Sequence, residues 1–206
     1  MPLTTYTAGQ VLTAASLNAN FSFAAGSGGL VPIVPTSITV GGGTATASAN
    51  GQVTMTSVTT SILLNGVFSA TYTNYRFIWN GVGASAYNLN GRLSVGGSAS
   101  SASDYYSNLV YAAAGSAIGS NIAVASSFDF DSNNDEQKSF SADVIKPFVA
   151  NPTMILGVAL GVSTAGASPR PYLEGHYNKA ATSYDGIQFL VDAAVTGTLS
   201  VYGYTI

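Results

Sequence analysis

His176, Ser183 and Asp185 are the residue types of a nucleophilic hydrolase gathered in one short stretch, and His176 is the sole histidine of the chain. In that chemistry the imidazole takes the serine proton and the carboxylate orients the imidazole. The neighbouring residues argue against it. No Gly-x-Ser-x-Gly elbow encloses Ser183, and the Tyr184-Asp185-Gly186 that follows reads as a turn. His176 is therefore expected to be a hydrogen-bonded structural residue that ties one strand to its neighbour or to another subunit.

A second constellation is acidic. Asp129, Asp131, Asn133 and Asp135 repeat the oxygen-ligand spacing that opens a calcium loop, but the glycine required at the sixth position is Asn134 and the acid required at the twelfth is Phe140. An EF-hand is excluded. The stretch 129–136 reads instead as an exposed acidic loop at one end of the fold, contributing little to stability, with a looser surface calcium site as the alternative. Asp129 and Glu136 are also the residue types of a glycosidase pair, but such enzymes set their carboxylates across an aromatic-lined cleft on a larger rigid scaffold. No catalytic residue, metal ligand or cofactor is expected. The side chains left for recognition are aromatic: Tyr105, Tyr106, Tyr111, Tyr172, Tyr177 and Tyr184, which with His176 form the candidate contact set. Each tyrosine joins an apolar ring to a polar tip, suiting a sugar-stacking face or a subunit interface.

Composition sets what must position these groups. None of the first 75 residues is charged, and only 7% of the chain is Asp, Glu, Lys or Arg, against about 25% in ordinary soluble domains. Surface with so little charge needs cover from the rest of the chain or from other subunits. The 47% hydrophobic content is high enough to offset ordering entropy, so the chain should fold. Six scattered cations, Arg76, Arg92, Lys138, Lys146, Arg170 and Lys179, and a net charge of −3 exclude a phosphate-tracking nucleic-acid grip. With no cysteine, stability must come from packing or oligomerisation. No basic segment leads into an apolar stretch at the start, and no apolar run reaches the length of a membrane span, so neither secretion nor membrane insertion is expected.

Gly, Ala, Ser, Thr, Asn, Val and Tyr dominate, favouring strands and turns over helices. The one helix expected lies near the start. Thr13 is its N-cap, Leu12 and Leu17 form a hydrophobic staple, and Leu17 shares a face with Phe21. Too short to persist alone in water, this element must dock its apolar stripe on something. A glycine hinge at 26–29 and the pair Pro32 and Pro35 then set residues 1–35 apart as an arm, whose extended 31–34 stretch is available to add a strand to a partner's edge. From Thr36 to the end, short β-type runs alternate with turns such as Asn50-Gly51, Asn65-Gly66 and Asp185-Gly186. Tyr75, Phe77 and Trp79 fall on one face of a strand at 74–81, with 89–95 as a separate neighbour. Gly203 interrupts the apolar face of the last strand and leaves room for a backbone or an aromatic ring. The expected fold is mostly β, an antiparallel, jelly-roll-like sandwich over 36–206 preceded by an arm with a short helix.

Four motifs in the C-terminal third, Asp143-Val-Ile-Lys-Pro-Phe148, Gly175-His-Tyr177, Ser183-Tyr-Asp-Gly186 and Gly197-Thr-Leu-Ser-Val-Tyr-Gly-Tyr204, resemble the C-terminal β domain of tailed-bacteriophage virion proteins. Residues 6–21 resemble the segment that opens many phage fibre and tail-associated proteins. The resemblance implies a non-enzymatic virion component, a short tail fibre, head fibre or capsid-decorating protein. Leu12, Leu17 and Phe21 would anchor it to capsid or tail proteins, with the sandwich projecting as a homotrimer that contacts the host, a surface glycan being one target. A carbohydrate-binding or depolymerase module is the alternative from another class.

Overall fold

The computed structural model describes residue 13 and residues 29–113, 116–162 and 169–205. The stripe Leu12, Leu17 and Phe21, with the helix expected to carry it, lies outside the described residues. Within them the chain forms strands β1 (Gly29–Ile33), β2 (Ser37–Gly41), β3 (Thr44–Ala47), β4 (Val53–Val58), β5 (Ser61–Asn65), β6 (Asn74–Val95), β7 (Ser98–Ala99), β8 (Tyr105–Ala113), β9 (Ser116–Ala125), β10 (Phe128–Ile145), β11 (Thr153–Val162), β12 (Arg170–Asn178), β13 (Gly186–Val191) and β14 (Val195–Thr205). Their pairings are antiparallel, as a sandwich requires.

β6 organises the fold. The two strands expected at 74–81 and 89–95 are one strand of 22 residues. Phe77, in its first half, lies fourteen positions before Gly91, the register partner of Phe189, a separation of roughly 45 Å along an extended chain. The rings of Phe77 and Phe189 are nonetheless 5.1 Å apart. β6 therefore doubles back. At the corner a Cβ on Gly83 would stand 2.3 Å from the Ser85 carbonyl oxygen, and β10 slips register opposite it, at Asp131, Asp135 and Gln137. Such mismatched pairing bends a strand. The Trp79 indole N–H donates to the Tyr87 hydroxyl at 3.2 Å, and that hydroxyl donates to the Gly81 carbonyl at 3.3 Å, tying the corner together.

β6 and β10 thus run through both layers of the sandwich. The broad layer is ordered β14, β6, β10, β11, β12, β8, β9, with β1 and β4 sharing the other edge of β14. The narrow layer is ordered β2, β5, β13, β6, β10. Between them Tyr75, Phe77 and Trp79, on alternate positions as the sequence implied, join Phe128, Phe130, Phe140 and Phe189 in one buried aromatic core. Phe130 is central, its ring 4.9 to 5.9 Å from those of Phe77, Phe128, Phe140 and Phe189.

Two expectations are corrected here. The stretch 129–136 is not an exposed loop: it lies within β10, and Asp129 and Asp135 are buried because Phe128, Phe130 and Phe140 draw the strand across the core. The 29–33 segment does not wait for a partner's edge. It pairs with β14 of its own chain, from Gly29 opposite Thr205 to Ile33 opposite Val201. Residues 34–36 alone separate it from β2, so once the sheet has formed the strand fills the open edge of β14 at little further entropic cost. The Asn50-Gly51 turn, with Gly51 at φ +80°, rests on the backbone of Ile33. Gly203 does leave room for an aromatic ring: a Cβ there would stand 2.3 Å from Cδ2 of Tyr72.

Candidate functional site

Alternation along β12 sorts the candidate residues. Tyr172, Glu174, His176 and Asn178 point into the sandwich, while Pro171, Leu173 and Tyr177 point out. His176 accordingly sits in the interior, 5.6 Å from the ring of Phe128 and 5.0 Å from that of Phe130. Its Nδ1 lies 2.9 Å from Ser107 Oγ on β8, and its Nε2 lies 3.2 Å from Glu174 Oε2. Ser107 Oγ also accepts the Asp129 backbone N–H at 2.9 Å. Ser107 O–H donating to Nδ1 and Nε2–H donating to Glu174 give every group one consistent role.

Serine, histidine and carboxylate are therefore together, but the members are Ser107 and Glu174. Ser183 donates to the Phe148 carbonyl at 2.7 Å, and Asp185 accepts the Gly96 N–H at 2.9 Å. The signal for Glu174 was available, since it falls on the buried parity of β12 with Tyr172; nothing local marks Ser107, which reaches His176 only through the β8–β12 pairing. All three side chains are buried, and Ser107 and His176 are among the residues that border a groove on the outer face of the sheet.

Burial holds His176 far down, at about 3, so the ring is neutral at pH 7. The sign follows directly. Between the ordinary value of 6.5 and about 3 the unfolded chain binds a proton that the folded chain refuses, so this contribution to stability is complete above pH 6.5 and declines as the pH falls toward 3. Urea unfolding of wild type and His176→Gln over that range is expected to show a shallower acid decline in the variant. Parallel profiles would contradict it.

The tyrosines divide in the same way. Tyr105 is core, its hydroxyl donating to the Ser100 carbonyl at 3.0 Å and accepting the Leu93 N–H at 3.1 Å. Tyr172 is buried and donates to Asp135 at 3.0 Å, with the half-buried Tyr111 ring 5.4 Å away. Tyr184 is buried and donates to Asn178 at 3.0 Å. Tyr105, Tyr111 and Tyr172 lie on the inward parity of β8 and β12, and Tyr184 is buried in the connection between β12 and β13, so these rings, with His176, turn away from the outer face. Tyr106 and Tyr177 remain, 6.0 Å apart on the outer face of the broad layer.

That face is the candidate site. Across it Arg76, Asp143, Leu156, Gly175 and Asn108 lie in register on β6, β10, β11, β12 and β8. The next row is Ile78, Ser141, Val158, Leu173 and Val110. Leu156 is 60% exposed, Val158 58%, Leu173 56% and Met154 52%, whereas outward positions of a solvated sheet are ordinarily polar. Gly175 has no atom within 4 Å of where a Cβ would stand, and above it opens a groove of about 590 Å³ walled by Tyr106, Asn108, Ile145, Met154, Leu156 and Tyr177.

The ionic element of this face is self-contained. Arg76 grips Asp143 through two bonds of 2.8 and 2.9 Å, and the Tyr204 hydroxyl donates to the same carboxylate. Burial by itself would raise the Asp143 carboxyl, but the Arg76 and Tyr204 hydrogen bonds and the guanidinium charge outweigh it and hold it below the usual range. Burial, together with the bond to Asp143, pushes the Tyr204 phenol up to about 12. Among the described residues no three His, Asp or Glu side chains gather to hold a metal ion.

No protein-family model and no curated protein sequence matches the chain. Among solved structures it overlaps the Emp47p carbohydrate recognition domain at 9% identity and a TM-score of 0.29, over 83% of this chain and 90% of that one. It also overlaps the receptor-binding domain of botulinum neurotoxin mosaic serotype C/D at 5% identity and 0.27, over 82% of this chain and 43% of the other. A fructofuranosidase from Schwanniomyces occidentalis overlaps at 12% identity and 0.21, over 85% and 35%. Likenesses this distant set neither the activity nor the ligand of this chain.

Proposed function

We propose that this chain is a non-catalytic surface component of a tailed-phage particle, working by assembly and adhesion through the outer face of its broad layer. One observation carries the assembly reading: a contiguous row of exposed aliphatic side chains on β11 and β12 in a chain with almost no charge to solvate it. The burial of Ser107, His176 and Glu174 supports the non-catalytic part. The virion assignment rests on the motif resemblance, and Leu12, Leu17 and Phe21 provide the anchor to neighbouring particle proteins. With β1 counted in the domain, the test deletes residues 1–28. The truncated protein is expected to fold, while mass spectrometry of purified particles finds it missing. Normal incorporation would remove the anchor from the proposal, and hydrolysis of an ester or glycan by the purified protein would remove its non-catalytic part.

Tyr106 and Tyr177 beside the groove favour a second reading, a carbohydrate-binding surface. Retention of the purified chain by immobilised host glycan, lost on Tyr177→Ala, would select it.

A further inference from the structure

The outer face of the broad layer has the dimensions of a subunit interface. Six strands from β14 to β8 and four outward rows cover roughly 29 Å by 27 Å, on the order of 800 Å². A stable protein–protein contact takes about 800 Å² from each partner. A glycan in the groove would leave Val158, Leu160 and Leu173 in water, and a partner chosen by charge would find, among the described residues, Arg76 already paired with Asp143 and, beside Tyr106, Lys179 already paired with Asp104.

We infer that this face packs against the same face of a second copy of the chain, related by a twofold axis. The relief is self-complementary: Leu156, projecting into solvent, stands in register beside the empty position at Gly175. A twofold axis between them seats each Leu156 in the depression left by Gly175 in the other copy. Two apolar sheet faces then stack as the layers of a sandwich do, about 10 Å apart. Like charges do not meet, because the Arg76–Asp143 pair is closed within each copy. The arrangement requires an even number of chains, unlike the trimer that the phage resemblance implies, and it holds whether or not the chain is carried on a virion.

Sedimentation of the full chain at micromolar concentration should give an even multiple of 20.9 kDa. Leu156→Glu and Leu173→Glu change exposed positions and should leave the circular dichroism spectrum unaltered while yielding monomers. Gly175→Leu fills the depression without touching its own fold and should weaken association by about tenfold or more. Peroxide oxidation of Met154, read by peptide mapping, should be slow in the wild type and fast in Leu156→Glu. A monomeric or trimeric wild type, association that survives both glutamate substitutions, or Met154 oxidising equally in both proteins would each overturn the inference. If the glutamate variants fail to fold, Gly175→Leu decides: association as tight as wild type overturns it.

Discussion

Phe130→Ala is expected to destabilise the fold by about 3–5 kcal/mol, a large share of the roughly 5–15 kcal/mol that holds a typical domain together. The ring is fully buried and meets four phenyl rings and the His176 imidazole, so truncation leaves a cavity that neighbours on two layers must collapse to fill. A coupled effect sharpens the test. A Cβ on Gly91 would stand 2.1 Å from Cε2 of Phe130, so Gly91→Ala alone should also be destabilising. In the Phe130→Ala background the added methyl enters the vacated space. Denaturant unfolding of both single variants and the double variant should therefore show a total cost smaller than the sum by about 1 kcal/mol or more. A strictly additive cycle would mean that the ring is not held where the structure places it.

The second large effect is at Asp135. Its carboxylate is buried, accepting the Tyr172 hydroxyl at 3.0 Å and pairing with Arg170 at 3.3 Å, and a Cβ on Gly161 would collide with it. Breaking such a pair strands its partners, and Asp135→Ala is expected to cost about 3–5 kcal/mol at neutral pH, toward the lower end because Arg170 keeps some contact with water. Adding Arg170→Met should restore part of the loss, since the unpaired cation is then gone too. A shift in unfolding free energy below about 1 kcal/mol for Asp135→Ala would return the segment to the role of a solvated acidic loop.

That segment shows where sequence reading reaches its limit. Charge density made 129–136 look solvated, and only long-range pairing reveals that Arg170 and Tyr172, more than thirty positions away, supply its partners. Alternation at Tyr75, Phe77 and Trp79 was legible because a strand repeats locally, and so was the space at Gly203. The corner that joins 74–81 to 89–95 was not. Its cause is a register slip against β10, which no window of β6 contains. The same holds for the candidate site. Six tyrosines and a histidine are equivalent by residue type, and burial, fixed by strand parity for most of them and by the packing of the 179–185 connection for Tyr184, leaves Tyr106 and Tyr177 on the outer face. The outward run Met154, Leu156, Val158 and Leu160 was present in the sequence, but an apolar run alone does not distinguish a covered strand from an uncovered one.

Because β6 and β10 pass through both layers, the layers are joined by covalent backbone as well as by side-chain packing. Neither can peel away while the other stays intact, so the amides that exchange slowest with solvent should open together across both layers in one event. A pull on either layer reaches the other along two continuous chains, and the molecule bears load as one body.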